Sequence, residues 1–445
     1  MHTSISISAS GAAASARQEA GGAARHGEAT PNEIAVGVII GRSSEYFDFF
    51  VFGIACVLVF PALLFPFLSQ LDGTLAAFAV FALAFVARPV GTALSMAVQR
   101  RWGRATKMTI ALLLLGTCTV GMTFLPSYAQ AGNAAIVALV LLRIGQGLAL
   151  GGSWDGLPSL LALSAPPQRR GWYSMMGQLG APLGFVLAAA LFAYIYANVS
   201  AAEFLSWGWR YPFCVAFATN VVALFARLQL ISGHYDELME QRALEPMGVL
   251  PLMRDQGRNV LLGAFAALAS FALFHLVTIF PLSWVALYSQ QSILAVLGVQ
   301  LLGACCAAVA VVASGWLADR VGRRNTLGAM ACLIGIFSFL APWLLGAGSA
   351  GTNTFIIVGF VLLGLSYGQS SGTVTSNFAA HYRYTGAALS ADLAWLLGAA
   401  FAPLIALGVS AHFGLVGLSM YLLSGALCTL AALGINRAVE ARVPD

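Results

Sequence analysis

Charge is what this chain of 445 residues has least of: 9% of them are Asp, Glu, Lys or Arg, and lysine occurs once, at Lys107. An average soluble domain carries about 25% charged residues, so a water-exposed globular surface is excluded. Its seven cysteines form no CxxC pair and sit at no metal-ligand spacing with histidine, so they read as small packing residues. There is no nucleophile–base pair, no metal motif and no nucleotide-binding loop, so no enzyme, cofactor or metal is expected. The net charge of +5 gives no sign of a nucleic acid partner.

Apolar surface is abundant instead, at 59% hydrophobic residues and a mean hydropathy of +0.84. A bilayer core about 30 Å thick takes about 20 apolar residues as a helix. Twelve such segments recur, near 33–60, 74–98, 106–126, 134–163, 170–197, 210–231, 259–282, 292–316, 326–346, 353–377, 385–410 and 413–436. Strand alternation is absent, which speaks against a barrel. The expected fold is an all-α integral membrane protein of twelve transmembrane helices, with a lipid bilayer as its surroundings.

Residues 1–30, rich in Ala, Ser and Gly, lack the basic start and Leu-rich core of a signal peptide and read as a disordered tail. Thr30-Pro31-Asn32-Glu33 fits a capping box that opens the first helix. QRRWGRATK at 99–107 and ADRVGRRNT at 318–326 hold equivalent places in two six-helix halves, 31–231 and 259–436. The polar stretch 232–258 links them, and 437–445 form a second tail. Cationic residues concentrate in alternate loops (Arg100, Arg101, Arg104 and Lys107; Arg169 and Arg170; Arg320, Arg323 and Arg324; Arg383), which places those loops and both termini in the cytoplasm.

GRSSEYFDFFVFG, residues 41–53, sets Arg42, Glu45 and Asp48 into a segment otherwise fit for lipid. One such charge at mid-bilayer costs about 2.5–3.5 kcal/mol, so the group needs a purpose. Three-residue spacing confines the set to an arc of about 120°, a polar stripe turned to the interior or to a water-filled cavity. Arg can pair with Glu there as a structural ion pair, or snorkel to the surface; a coupling or substrate role is the competing reading.

Several motifs are similar to those of the major facilitator superfamily. The 315–324 loop, GWLADRVGRR, resembles its signature. Glu45-Tyr46-Phe47-Asp48-Phe49, Arg88-Pro89-Val90-Gly91, Gln146-Gly147 with Gly151-Gly152, Trp207-Gly208-Trp209-Arg210 and Tyr382-Arg383-Tyr384-Thr385-Gly386 resemble its metabolite:proton symporter branch. The resemblance implies two pseudo-repeats that rock about a central site. It also implies gating loops at Arg88, Arg100, Gly103, Arg104, Asp319, Arg320, Gly322 and Arg323. This chain departs from the pattern by placing Arg100 where the family has Asp, Ser153 where it has Glu, Arg42 where it favours Asn and Asp392 where Asn is common. In the family that loop Asp faces the start of helix 11; with Arg100, either the closed gate is held differently or the outward-facing state is weaker, and the latter is expected.

Carboxylates suit proton coupling, because burial favours their neutral form and a nearby Arg the charged one. Asp48, Glu45, Asp155 and Asp392 are the candidates, Asp48 first because helix 1 lines the central cavity in this fold. Arg143, Gln146, Arg42, His275 and Gln369 are candidates for substrate, Arg143 for an anion through its forked guanidinium or, alternatively, for a salt bridge to Asp155 or Glu45. Hydroxyl and amide groups crowd helix 10, at Ser366, Tyr367, Gln369, Ser370, Thr373, Thr375 and Asn377. The expected protein is a monomeric, inner-membrane proton symporter of a small organic acid or polar metabolite, with a proton-coupled exporter and a non-transporting sensor as alternatives.

Overall fold

Glycine turns and polar interruptions decide where one helix ends and the next begins. The computed structural model describes residues 31–154, 156–231, 244–370 and 378–440. The expected N-terminal tail, residues 232–243 of the linker, residues 441–445 of the second tail, and Asp155, Thr373, Thr375 and Asn377 lie outside the described residues.

Helix α1 is Pro31–Leu58. A helical run, Gln70–Thr123, reverses at Gly103 and so supplies α2 (70–102) and α3 (104–123). Then follow α4 (Asn133–Gly152), α5 (Arg170–Asn198), α6 (Arg210–Ile231) and α7 (Val249–Tyr288). The chain continues with α8 (Ile293–Val321), α9 (Arg323–Gly346), α10 (Gly348–Tyr367), α11 (Arg383–Phe413) and α12 (Leu415–Glu440). Among the described residues nine runs are long and apolar enough to cross a bilayer. The reversal at Gly103 divides one of them, and α1 and α6 complete the expected twelve.

Gly103 and Gly322 hold the same place in the two repeats and adopt φ 83° and 87°. A side chain is strained in that left-handed region, so glycine is what lets α2 turn into α3 and α8 into α9.

Three boundaries differ from expectation: α10 ends at Tyr367 and residues 368–370 form a turn, where the expected span runs on to 377. Helix 4 is not continuous to 163: Ser153 and Trp154 leave it, Gly156 takes φ 75°, and a separate short helix, Leu157–Ser164, follows with Pro158 in its first turn. Proline there lacks the N–H that would extend α4. α7 opens at Val249, inside the stretch read as linker, and bends at Gln256 (φ −134°) before its apolar part.

Within the first half α2 lies along α4, α3 on α6, and α1 against α5 and α6. The second half packs α8 on α10, and α12 on α7 and α9. The α2–α4 seam is closed backbone to backbone: a Cβ on Gly147 would stand 2.3 Å from the Ala84 carbonyl, and one on Gly151 2.2 Å from that of Arg88. The halves meet along α5–α8 and α2–α11. At the end away from the basic loops they touch where Ile279 comes 2.7 Å from a notional Gly53 Cβ.

Candidate substrate cavity and gate

Between the halves lies a cavity of about 60 Å³, room for a few waters. Its walls come from α1, α2, α5, α7, α10, α11 and the break after α4. Polar atoms are supplied by Arg42, Tyr46, Arg88, Ser159, Ser174, Gln178, Tyr367, Ser370 and Ser390, and flat surface by Trp154, Phe271 and Trp395. A smaller adjoining pocket of about 20 Å³ reaches Glu45, Phe49 and Phe85. Helix α11 opens into a wide π-type turn, Trp395–Ala400, at this level; such turns recur at functional sites.

Charge in the cavity is paired. Arg42 Nη1 donates to Glu45 Oε2 at 2.8 Å, while Ser153 Oγ donates to Glu45 Oε1 at 2.9 Å. The Arg42 guanidinium also lies 5.6 Å from the Trp154 ring. Arg88 Nε donates to Asp392 Oδ1 at 2.7 Å, an ion pair that joins α2 of one half to α11 of the other. Thr92 donates to the second Asp392 oxygen. These are the two ion pairs among the described residues.

Asp48 is placed otherwise than expected. Its carboxylate turns away from the cavity towards α3, α4 and α6, accepting from Thr119 Oγ1 at 2.8 Å and from Gln146 and Asn220 at 3.4 Å. Arg42 and Asp48 stand at opposite margins of the 120° arc, and the helix divides them between two surroundings. Arg143 and Gln146 belong to the same network inside the first half. Arg143 donates twice to the Phe81 carbonyl at 3.2 Å and to Gln146 Oε1 at 3.1 Å, with its guanidinium 4.0 Å from the Phe52 ring. It makes no ion pair among the described residues, with Glu45 or any other acid. Asp155 lies outside them.

An aromatic layer closes the cavity on the side away from the basic loops. Tyr46 and Tyr367 bond hydroxyl to hydroxyl across the halves, and Phe49, Phe85, Phe274 and Trp395 pack around them. His275 is buried in this layer, 5.2 Å from the Phe49 ring, and its Nε2 finds no partner among the described residues. Gln369 lies off the cavity too: its amide donates to Gly171 O and Ser314 Oγ, both at 3.2 Å, bridging α10, α5 and α8.

On the basic-loop side two contact sets hold the halves together. Asp319 on α8 accepts from the Gly171 and Trp172 amides at 2.6 and 3.1 Å, capping the N-terminus of α5, where a carboxylate suits the helix dipole. Arg323 adds a bond to Arg170 O at 3.2 Å, and Arg320 stacks on Trp316. Symmetry would give the same cap from α2 to α11, but Arg100 points to the exposed surface. The Tyr384 hydroxyl at the start of α11 instead lies 3.0 Å from both Gln99 Oε1 and the Trp154 carbonyl, two acceptors for its one hydrogen. Lys107 donates to that carbonyl and to the Tyr384 hydroxyl. The break after α4 frees the Trp154 carbonyl, and this knot satisfies it.

Trp154, Thr92, Gln99, Lys107 and Tyr384 were not singled out as site residues from the sequence. The single lysine of the chain was a signal; it read as a loop charge because burial by helices distant in sequence leaves no local trace.

A polar cavity between two repeated helical halves, closed at both ends by contacts that could part, defines a membrane carrier. The chain belongs to the major facilitator superfamily, whose sequence profile matches residues 46–403. It is 35% identical to the inner membrane metabolite transport protein YhjE of Escherichia coli over 415 residues, 90% of this chain and 93% of that protein. The shikimate transporter of Escherichia coli is 30% identical, over 88% of this chain and 91% of its own. The proton:xylose symporter XylE, at 18% identity, has the same fold, with a TM-score of 0.69 covering 92% of this chain and 95% of that one. The protein is therefore a multi-pass membrane transporter and not an enzyme.

Proposed function

We propose that this transporter is a proton-coupled symporter that takes up a small organic acid across the inner membrane by alternating access, acting as a monomer with both termini in the cytoplasm. The observation that carries the reading is the cavity itself. It presents two guanidinium groups, hydroxyls from Tyr46, Tyr367, Ser159 and Ser390, and indole walls. That chemistry suits a compact acid bearing hydroxyls: the guanidinium fork for the carboxylate, the serines and tyrosines for the alcohols, the aromatic faces for the carbon frame. The Trp154 Nε1, buried and without an acceptor among the described residues, is a further donor for it.

The relatives support uptake of metabolites, one of them named for shikimate, and the basic loops support the orientation. At about 60 Å³ the cavity is far below the roughly 300–1,000 Å³ of occupied ligand sites. It is the closed interval between openings to either side, with the Asp319 and Tyr384 contacts as the inner gate and the aromatic layer as the outer one. Glu45 and Asp392, held by arginines at the cavity, and Asp48, held by neutral donors behind it, are the carboxylates available for proton coupling among the described residues.

Thermal-shift screening of organic acids, followed by uptake into proteoliposomes under a pH gradient, tests the reading. Accumulation driven by an inward proton gradient is expected. Binding with no uptake, but with substrate-driven proton exit, would favour export instead.

A further inference from the structure

Each guanidinium at the cavity already has a carboxylate, Glu45 for Arg42 and Asp392 for Arg88. Among the described residues the cavity is thus charge-neutral, and an incoming carboxylate adds a negative charge that nothing offsets. The two pairs differ in what they join. Arg42–Glu45 lies within one helix turn of α1 and survives any movement of one half on the other. Arg88–Asp392 spans the halves, with side chains 12% and 4% exposed. Arg88 spends only its Nε on Asp392, and among the described residues no hydrogen bond engages its Nη groups.

Resting on the symport reading above, we infer that the substrate carboxylate takes the place of Asp392 on Arg88, while Asp392 accepts one proton in exchange. Each carboxylate then crosses together with one proton, a neutral sum. The proton comes from water on the entry side, forms an O–H bond at Asp392, and leaves on the far side when the substrate departs and Arg88 returns to the carboxylate. Thr92 keeps the neutral acid hydrogen-bonded throughout. The other charges nearby, Arg42 and Glu45 on α1, offset one another, and α7 brings Gly263 and Ala267, which carry none. Because the broken pair joins α2 to α11, loading and release of that inter-half tie are one event. The acid Asp392, where the resembling branch commonly has Asn, is what makes the exchange available to this chain.

Titration with shikimate, a monoanion, and malate, a dianion, tests this on the full-length protein by calorimetry, with proteoliposome uptake beside it. Wild type should lose shikimate affinity about tenfold per pH unit on the alkaline side, the slope of one linked proton. Its shikimate uptake should ignore an imposed potassium diffusion potential. Asp392→Asn should bind shikimate with no pH slope and make uptake potential-dependent. The charge-balanced double variant R88Q/D392N should keep its thermal stability yet lose at least about tenfold in shikimate affinity, the guanidinium being gone. An unchanged slope in Asp392→Asn, or unchanged affinity in the double variant, overturns the exchange while leaving proton-linked uptake standing. Failure of wild type to bind or take up either acid overturns the organic-acid reading itself.

Discussion

The α2–α4 seam supports a sharp test through Gly151→Ala. The added Cβ would stand 2.2 Å from the Arg88 carbonyl and 2.5 Å from the Thr92 amide nitrogen, both main-chain atoms that no rotamer change can clear. An ordinary contact needs about 1 Å more, so α4 must retreat from α2 by about that distance, at an overpacking cost of about 1–3 kcal/mol. Treating the first half as a unit of about 200 residues, at about 2–4 °C per kcal/mol, its melting temperature falls by about 2–12 °C. The strain falls on Arg88 and Thr92, the two residues that hold Asp392. Substrate affinity should drop along with stability. Gly298→Ala on α8 is the control, since a Cβ there meets nothing within 4 Å; helix propensity predicts a gain of up to about 1 kcal/mol. Fluorescence-monitored melting in detergent and binding of the best acid from the screen are the assays. If Gly151→Ala melts and binds like Gly298→Ala, the close approach of α2 and α4 is wrong.

Other substitutions separate gate from packing. Tyr384→Phe removes the hydroxyl that joins Gln99, Lys107 and Trp154, and should disfavour the closed inner gate by about 1–3 kcal/mol, or about 5–150-fold in population; spin-label distances across α2–α11 that stay unchanged would refute this. Asp319→Asn should weaken the α5 cap by about 1–2 kcal/mol, about 5–30-fold towards the inward-open form, read by the same distances across α5–α8. His275→Phe removes a buried nitrogen that has no partner among the described residues and should leave the pH profile of uptake intact, with a melting temperature equal or higher; a lost proton dependence would make His275 a coupling group.

Hydropathy and loop motifs made all the helices legible and some of them almost to their ends: the segment expected at 326–346 is Arg323–Gly346. The glycines of the two basic loops were equally plain, because a left-handed turn restricts the residue that can occupy it. Gly156-Leu157-Pro158 carried the signal for the break in helix 4, but the high apolarity of the stretch as a whole let a single span run through it. Helical spacing brought Arg42, Glu45 and Asp48 into one arc; whether that arc faces one cavity depends on α3, α4 and α6, which no local pattern places. Arg88 and Asp392 are 304 residues apart, and their pairing follows only from the docking of the halves.

Trp154 performs two tasks through different parts of one residue. Its indole borders the space where a substrate would sit, and its carbonyl anchors Lys107 and Tyr384 at the inner gate. Under the proposed function, selectivity and closure would be read by a single residue at the end of a broken helix. An acid large enough to press on the indole would tug the latch as it binds, whereas one too small to reach it would occupy the cavity without signalling its arrival. Size discrimination in such a carrier would be kinetic, expressed as the rate at which a loaded molecule opens inward.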